Sequence, residues 1–294
     1  MMICEEILEF AKINQIKFIS MKFIDVSGNL LQIDSLILNL KQDKECFVIN
    51  DFYLLPNRYF IDPFRAIQTI SCVCENLTMH NSRALINEII NDNIECEYAI
   101  CDIYCHIIDK KVEASKKIEK NSDNCIYQVD PFDGLSNLRT EITEILDNLD
   151  IMILHHHHGL ENSSINITIK SNISNIADEI LILRYVISNV SQSYGKIASY
   201  DMQNNDNYRD QFSVSIKMKH SINTNIIDDQ ISDFTNLPIS YKIKSNTSSN
   251  LIIIDVFQIR CNYYLIICFL IFRFFYNQLD TKIRNSLDAL LRFL

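Results

Sequence analysis

Four consecutive histidines, His155–His158, are the most conspicuous chemistry-bearing group in this 294-residue sequence. Side chains alternate along a strand, so His155 and His157 would share one face and His156 and His158 the other. Imidazole favours Zn²⁺, Ni²⁺ or Cu²⁺, whereas Mg²⁺ and Mn²⁺ prefer oxygen. A second group is Cys101, Cys105 and His106, which invites a thiol-nucleophile reading. On a strand the two cysteines share a face and His106 lies on the other, so buried, inert cysteines are the expected reading.

The ten cysteines contain no C-x-x-C spacing, so a structural zinc site is not expected. Gly28, Gly134, Gly159 and Gly195 are the four glycines, where average usage would give roughly 20. They stand too far apart for G-x-G-x-x-G or G-x-x-x-x-G-K-[ST], which excludes Walker-type nucleotide binding and the dinucleotide fingerprint.

Periodicity indicates the elements that must position these groups. Ile7, Leu8, Ala11 and Ile13 predict a short first helix. Lys17–Val26 and Leu30–Leu36 flank Ser27-Gly28-Asn29, a hairpin signal, with Phe18, Met21, Phe23 and Val26 expected to be largely buried. Asn81 is a plausible N-cap for a helix through Asn91. Cys96–Ile108 reads as a strand and Lys110–Asn124 as a loop. Ser136 is expected to cap a helix with Leu138, Ile142, Ile145 and Leu149 on one face. Ile151–His158 reads as a strand. A helix from about Asn175 to Tyr194 buries Ile176, Ile180, Leu183, Ile187 and Val190, and Gly195 sits where a C′ glycine belongs. After about His220 the pattern weakens.

A hydrophobic fraction of 48% supports a sizeable core, and the length suggests roughly two domains. A net charge of −10 argues against bulk binding to nucleic acid. Glu5 and Glu6 spoil a signal-peptide n-region, and the cysteine pattern reads as unpaired, so a reduced, cytoplasmic setting is expected.

The order of these elements and several local strings resemble type I glutamine synthetase. The strings begin with Lys17-Phe18-Ile19-Ser20-Met21-Lys22-Phe23-Ile24-Asp25-Val26-Ser27-Gly28-Asn29, similar to the family's opening hairpin. Asp51-Phe52-Tyr53-Leu54-Leu55-Pro56 and Ile61-Asp62-Pro63-Phe64 resemble its Ser-Asp-Met-x-Leu-x-Pro and Asp-Pro-Phe strings, and Asn81-Ser82-Arg83 its Asp-Pro-Arg. Tyr127-Gln128-Val129-Asp130-Pro131-Phe132-Asp133 falls on Tyr-Phe-x-x-x-Pro-x-Asp, and His155–His158 on His-His-His-Glu. The helix carrying Ala177-Asp178 and Tyr185-Val186, with Gly195-Lys196 after it, resembles the helix that follows.

The resemblance covers about residues 5 to 218. It implies an α+β fold, with an N-terminal β-grasp domain over 1–87 and a partial catalytic domain of curved antiparallel sheet and helices over 88–220. Residues 221–294 read as a divergent apolar tail. The family reaction uses ATP to phosphorylate glutamate, and ammonia then displaces phosphate. The resemblance implies ATP and two divalent cations, Mg²⁺ or Mn²⁺, held chiefly by glutamates.

Carried over residue by residue, that ligand set is depleted. The family's Glu-x-Glu-Phe-Phe falls on Ile100-Cys101-Asp102-Ile103-Tyr104, leaving one shortened carboxylate. The Glu closing His-His-His-Glu becomes His158. Gly-Gln-x-Glu-Ile falls on Ser163-Ser164-Ile165-Asn166-Ile167, so another ligand becomes Asn166. Gly-Met-His-Val-His falls on Gln211-Phe212-Ser213-Val214-Ser215, which removes both histidines. The region between Gln42 and Asn50 is too short for the family's Phe-Asp-Gly-Ser-Ser loop, and residues 219–294 carry no match to its distal arginines. Gly28 and Gly195 fall on scaffold glycines of the family, while glycines of its substrate loops fall on other residues.

Two readings of the histidines follow: a transition-metal site using His158 and Asp102, or a strand of satisfied, non-ligating histidines. The second is favoured, since no Cys or second His motif lies at ligand spacing. The expected function is that of a divergent, C-terminally truncated family member impaired in glutamate–ammonia ligation. Alternatives are an inactive homologue acting as an oligomerisation or regulatory partner of an intact synthetase, and a weakly active or altered ligase. A homo-oligomer is also compatible with the resemblance. The run Cys261–Leu279 has an uncharged core, Cys261–Phe272, of only 12 residues against the roughly 20 of a spanning helix. A buried or aggregation-prone tail is favoured there over a membrane anchor. An out-of-frame origin for stretches such as Leu251–Val256 is a further expectation.

Overall fold

The computed structural model describes residues 3–25, 29–77, 96–110, 126–159, 163–200, 212–218, 241–246 and 251–256. The expected helix over 81–91, most of the loop over 110–124, the hairpin residues Val26–Gly28 and the 261–279 run lie outside them. The described residues fall into two compact units, 3–77 and 96–256.

The first unit opens with helix α1, Ile3–Ile13, which carries Glu5 and Glu6 in its first turn and Lys12 in its last, complementing the helix dipole. It buries Cys4, Ile7 and Ala11. Ile13, expected on the same stripe, is 70% exposed, because the helix ends there and Gln15 turns the chain with φ +56°. Strands β1 (Phe18–Ile24), β2 (Leu30–Leu36), β3 (Lys41–Asp43), β4 (Cys46–Ile49), β5 (Phe52–Ile61) and β6 (Thr69–Asn76) follow. They form one mixed sheet in the order β2-β1-β6-β5-β4-β3, with β1 and β6 parallel.

The predicted hairpin is present, with Ile24 opposite Leu30. Its base is held by Asp25, whose carboxylate accepts from the Asn29 N–H and carboxamide at 2.8 Å each. Ile19, Met21 and Phe23 pack with α1, Phe47, Leu54 and Ile70 in the core. Phe18, at the start of β1, stays 36% exposed, contrary to the expected burial. Pro56 is tolerated inside β5 because the register shifts between Pro56 and Arg58, a bulge that needs no donor there.

The second unit is built on β7, Cys96–Asp109. Helix α2 (Ser136–Asn148), β8 (Met152–His158), β9 (Ser164–Ser171), helix α3 (Ile176–Ser193), β10 (Lys196–Ser199), β11 (Phe212–Met218), β12 (Tyr241–Asn246) and β13 (Leu251–Val256) follow. The sheet runs β12-β13-β11-β7-β9-β8, with β10 also on β7, and every pairing is antiparallel. The stretch after His220 with the weak pattern thus supplies two strands, β13 pairing with β11 from Phe212↔Val256 to Lys217↔Leu251.

Ser136 does not cap α2. It is the first helical residue, and its hydroxyl donates to the Asp130 carboxylate. The buried face of α2 is Leu138, Arg139, Ile142 and Leu146, whereas Ile145 and Leu149 are only partly covered. Helix α3 matches expectation: all five residues of the predicted stripe are fully buried, and Gly195 follows with φ +72°. Leu181 and Ile182 are buried as well, since α3 packs against the sheet and α2.

Candidate functional site

Alternation along β7 sorts its side chains into two faces. Ala99, Cys101, Ile103, Cys105 and Ile107 are all buried, as are Ile165, Ile167 and Ile169 opposite them on β9 and Val214 and Ile216 on β11. These residues form the apolar side of the sheet. The other side is polar. Asp102 pairs with Thr168 on β9 and with Ser213 on β11, and Tyr104 pairs with Asn166.

Strand β8 completes this face. A register irregularity between Ile153 and His155 sets His155 opposite Thr168 and His157 opposite Asn166. His155 and His157 therefore share the polar face with Asp102. His156 and His158 fall opposite Ile167 and Ile165 and join the other side. The predicted pair Asp102 and His158 is consequently not brought together. His158 is 1% exposed, and its Nδ1–H donates to the Gly159 carbonyl at 2.6 Å.

On the polar face, the Thr168 hydroxyl donates to Asp102 Oδ1 and lies 3.2 Å from His155 Nδ1. Asn166 Oδ1 is 3.4 Å from the same hydroxyl. The imidazoles of His155 and His157 stack with centroids 5.9 Å apart and planes 29° from parallel. His157 Nδ1 bonds to the His158 carbonyl at 2.8 Å, and the Tyr127 ring rests 4.4 Å from the His157 ring. Sequence alone did not point to Thr168, and it pointed to His155 only within the histidine run and to Tyr127 only within a family string, neither as a ligand. Period two would have found Thr168, which stands two residues past Asn166 and so on the same face.

On the opposite side, α2 packs against β8. There Asp133 and Arg139 form a buried ion pair, with Oδ1 accepting from Nη1 at 2.9 Å and Oδ2 from Nη2 at 2.5 Å. Burial, together with the charges of Arg139 and His157, pushes the His156 imidazole below its ordinary value despite Asp133 nearby. Its Nδ1 is buried without a hydrogen-bond partner.

The cysteines fit the inert reading. Cys101 and Cys105 are buried, free, and on the face away from His106. Burial pushes the Cys105 thiol up to about 12 and the Cys101 thiol well above its ordinary value, so neither supplies a thiolate at neutral pH.

A pair of Mg²⁺ or Mn²⁺ ions is held through several anionic oxygens. Among the described residues of β7, β8 and β9, the polar face offers one carboxylate, Asp102, which already accepts the Thr168 hydroxyl, beside neutral Asn166 and two imidazoles. These residues do not fit such a pair. Among the described residues, no group of three or more His, Cys, Asp or Glu side chains is arranged to hold a metal ion.

Comparison with known proteins locates this sheet in a family. The family model described as glutamine synthetase, catalytic domain, matches residues 86–208, which include β7 through α3 and the polar face. A glutamine synthetase of Methylococcus capsulatus is 30% identical over 76 residues, covering 25% of this chain and 16% of that protein. One from Helicobacter pylori is 22% identical over 265 residues, covering 67% of this chain and 53% of its own length. The chain thus spans at most about half the length of these two relatives. The fold matches Plasmodium falciparum glutamine synthetase with a TM-score of 0.67 at 11% identity, over 97% of this chain and 75% of that one. Mixed sheets, a curled antiparallel sheet with helices, and matches in sequence over the same elements agree: over residues 86–208 the chain is similar to the catalytic domain of glutamine synthetase, and its fold is that of a divergent glutamine synthetase.

Proposed function

We propose that this chain is impaired in the ATP-dependent joining of ammonia to glutamate that its family carries out. One observation carries the reading. Among the described residues, the face of β7, β8 and β9 that holds Ile100, Asp102 and Asn166, three of the positions where the resemblance places metal carboxylates, presents one carboxylate, Asp102, engaged by Thr168, while the fourth position, His158, lies on the opposite face. Phosphoryl transfer to a carboxylate brings anionic groups together and relies on cations to offset their repulsion. Without anionic ligands, a two-cation site loses most of its affinity for Mg²⁺, and ATP loses its anchor.

The test is γ-glutamyl transfer and glutamate-dependent phosphate release by the purified chain with Mg²⁺ and with Mn²⁺. Background rates are expected with both ions. A rate above background that disappears in Asp102→Asn would overturn the reading and favour a weak ligase.

A second reading, a partner in an assembly with an intact synthetase, draws on the exposed edge of the first unit. Among the described residues, strand β2 ends the sheet, with Leu30, Leu31 and Leu36 between 38% and 41% exposed, and Leu38 just beyond is 94% exposed. Such an edge is a template for pairing with another chain. Co-purification with a full-length synthetase, reduced by Leu31→Lys, is expected if this role holds. A monomer that ignores an added synthetase would exclude it.

A further inference from the structure

We propose that His155 and His157 form a binding site for an imidazole-preferring divalent ion of the Ni²⁺, Cu²⁺ and Zn²⁺ class. The site goes beyond the loss of the family's cation pair, and it concerns different residues from the Asp102–His158 pair expected from sequence.

The first observation is geometric. His155 and His157 are two apart on β8 and share the polar face, with near-parallel rings 5.9 Å between centroids. One ion would draw both rings out of this stacked arrangement by rotation about their side-chain torsions, the strand staying in place. His155 is exposed and His157 partly so, which leaves the pair accessible from solvent.

The second observation fixes which nitrogen each ring offers. A carbonyl oxygen only accepts, so His157 Nδ1, 2.8 Å from the His158 carbonyl, carries the proton. The Asp102 carboxylate likewise accepts, so the single hydroxyl proton of Thr168 is directed to it. Thr168 Oγ1 can then only accept from His155, which places a proton on His155 Nδ1 as well. Both rings are held as the tautomer whose Nε2 carries the lone pair. Neither Nε2 has a hydrogen-bond partner among the described residues.

That is the arrangement metal-ligating histidines use: one ring nitrogen donates to a carboxylate, hydroxyl or carbonyl, and the other is free to coordinate. Asp102 and Thr168 act here as positioning residues, since they set the tautomer of His155 without touching the ion. His156 and His158 take no part, because they face α2. The ligand chemistry follows from the donors: two neutral nitrogens select a borderline ion over Mg²⁺ or Ca²⁺.

The experiment is calorimetric titration of the full chain with NiCl₂, ZnCl₂ and MgCl₂ near pH 7.5, with the Cu²⁺ form examined by electron paramagnetic resonance. One equivalent of Ni²⁺ or Zn²⁺ is expected to bind, with no Mg²⁺ binding and nitrogen hyperfine splitting from two imidazoles. Saturable binding should be lost in both His155→Gln and His157→Gln and retained in His156→Gln, each variant checked for folding by circular dichroism. Thr168→Val and Asp102→Asn should weaken binding by about 10-fold or more while keeping the two-nitrogen signature, as loss of an outer hydrogen-bond partner does. No saturable binding, or equal loss in His156→Gln, would overturn the proposal. Equal loss in His156→Gln would assign the ion to the histidine run as a flexible string rather than to one sheet face.

Discussion

Asp133 receives both terminal nitrogens of Arg139 in a bidentate ion pair whose side chains are 3% and 6% exposed. The pair ties the turn before α2 to the first turn of the helix. Asp133 Oδ1 also accepts the N–H of Leu135, the residue just before the helix, at 3.1 Å. Removing one partner leaves a buried charge uncompensated, at a cost of about 3–5 kcal/mol. Arg139→Met should therefore lower the unfolding free energy in urea by that order. The double variant Arg139→Met/Asp133→Leu should recover part of it. Additive losses in the two single variants and the double variant would show that the pair is not coupled.

The same pair sets a pH dependence. Burial pushes the Asp133 carboxyl up, but hydrogen bonds from Arg139 and the Leu135 N–H, with the guanidinium charge, outweigh it and hold the carboxyl below its ordinary range. A carboxyl held low in the folded state adds stability above its unfolded value of about 3.9 and loses it as pH falls through the folded value. Unfolding free energy should drop from about pH 5 downward, and the drop should be shallower in Asp133→Asn. Parallel curves for the two proteins would remove Asp133 from the acid response.

Lys22 lies buried on β1, with Nζ 2.6 Å from Ser71 Oγ, 3.0 Å from Ser20 Oγ and 3.2 Å from Asp62 Oδ2. Asp62 in turn accepts from Ser71 and from the Phe64 N–H, closing the turn after β5. Lys22→Met strands the Asp62 carboxylate and should cost about 3–5 kcal/mol. Lys22→Met/Asp62→Asn should cost clearly less than the sum of the two single changes, measured as a coupling energy from denaturation of all four proteins.

Gly195→Ala and Gly159→Ala should both destabilise, for different reasons. Around Gly195 a Cβ would meet nothing within 4 Å, so the cost is that of φ +72° for an L-residue, about 1–2 kcal/mol. Gly195→Asn, which tolerates that conformation, should recover part of it. At Gly159 a Cβ would fall 2.5 Å from the Tyr104 ring and 2.9 Å from Ser164 Cβ, so the cost is overpacking, about 1–3 kcal/mol. Trimming with Tyr104→Ala should relieve part of that second loss and leave the first unchanged.

Thiol labelling tests the inert reading of the cysteines. Cys4, Cys46, Cys72, Cys74, Cys101 and Cys105 are buried and free, and burial raises the thiols of Cys4 and Cys105 to about 12. In native buffer at pH 8 the peptides carrying these six should stay unmodified by an aromatic disulfide reagent, and urea should expose them together within each unit. Rapid native labelling of Cys101 or Cys105 would contradict their burial under the sheet.

What the sequence determined by itself is the local structure. The 3.6-residue stripe of α3, the glycine that ends it, the hairpin of β1 and β2 and the strands carrying Asp102 and the histidines were all legible, because each signal lies within one element. The family strings added the order of elements, and they implied a depletion of carboxylates at Ile100, His158 and Asn166. The tertiary structure decided which of those elements meet. Alternation split the four histidines into pairs, but which pair joins Asp102 depends on a register irregularity in β8 and on β9 lying between β7 and β8. The burial of Lys22, the exposure of Phe18 and Ile13, and the pairing of Leu251–Val256 with β11 were equally invisible. Each rests on contacts between residues tens of positions apart. Strand pairing with a period of two reverses every face when the register slips by one, so a local pattern cannot fix it.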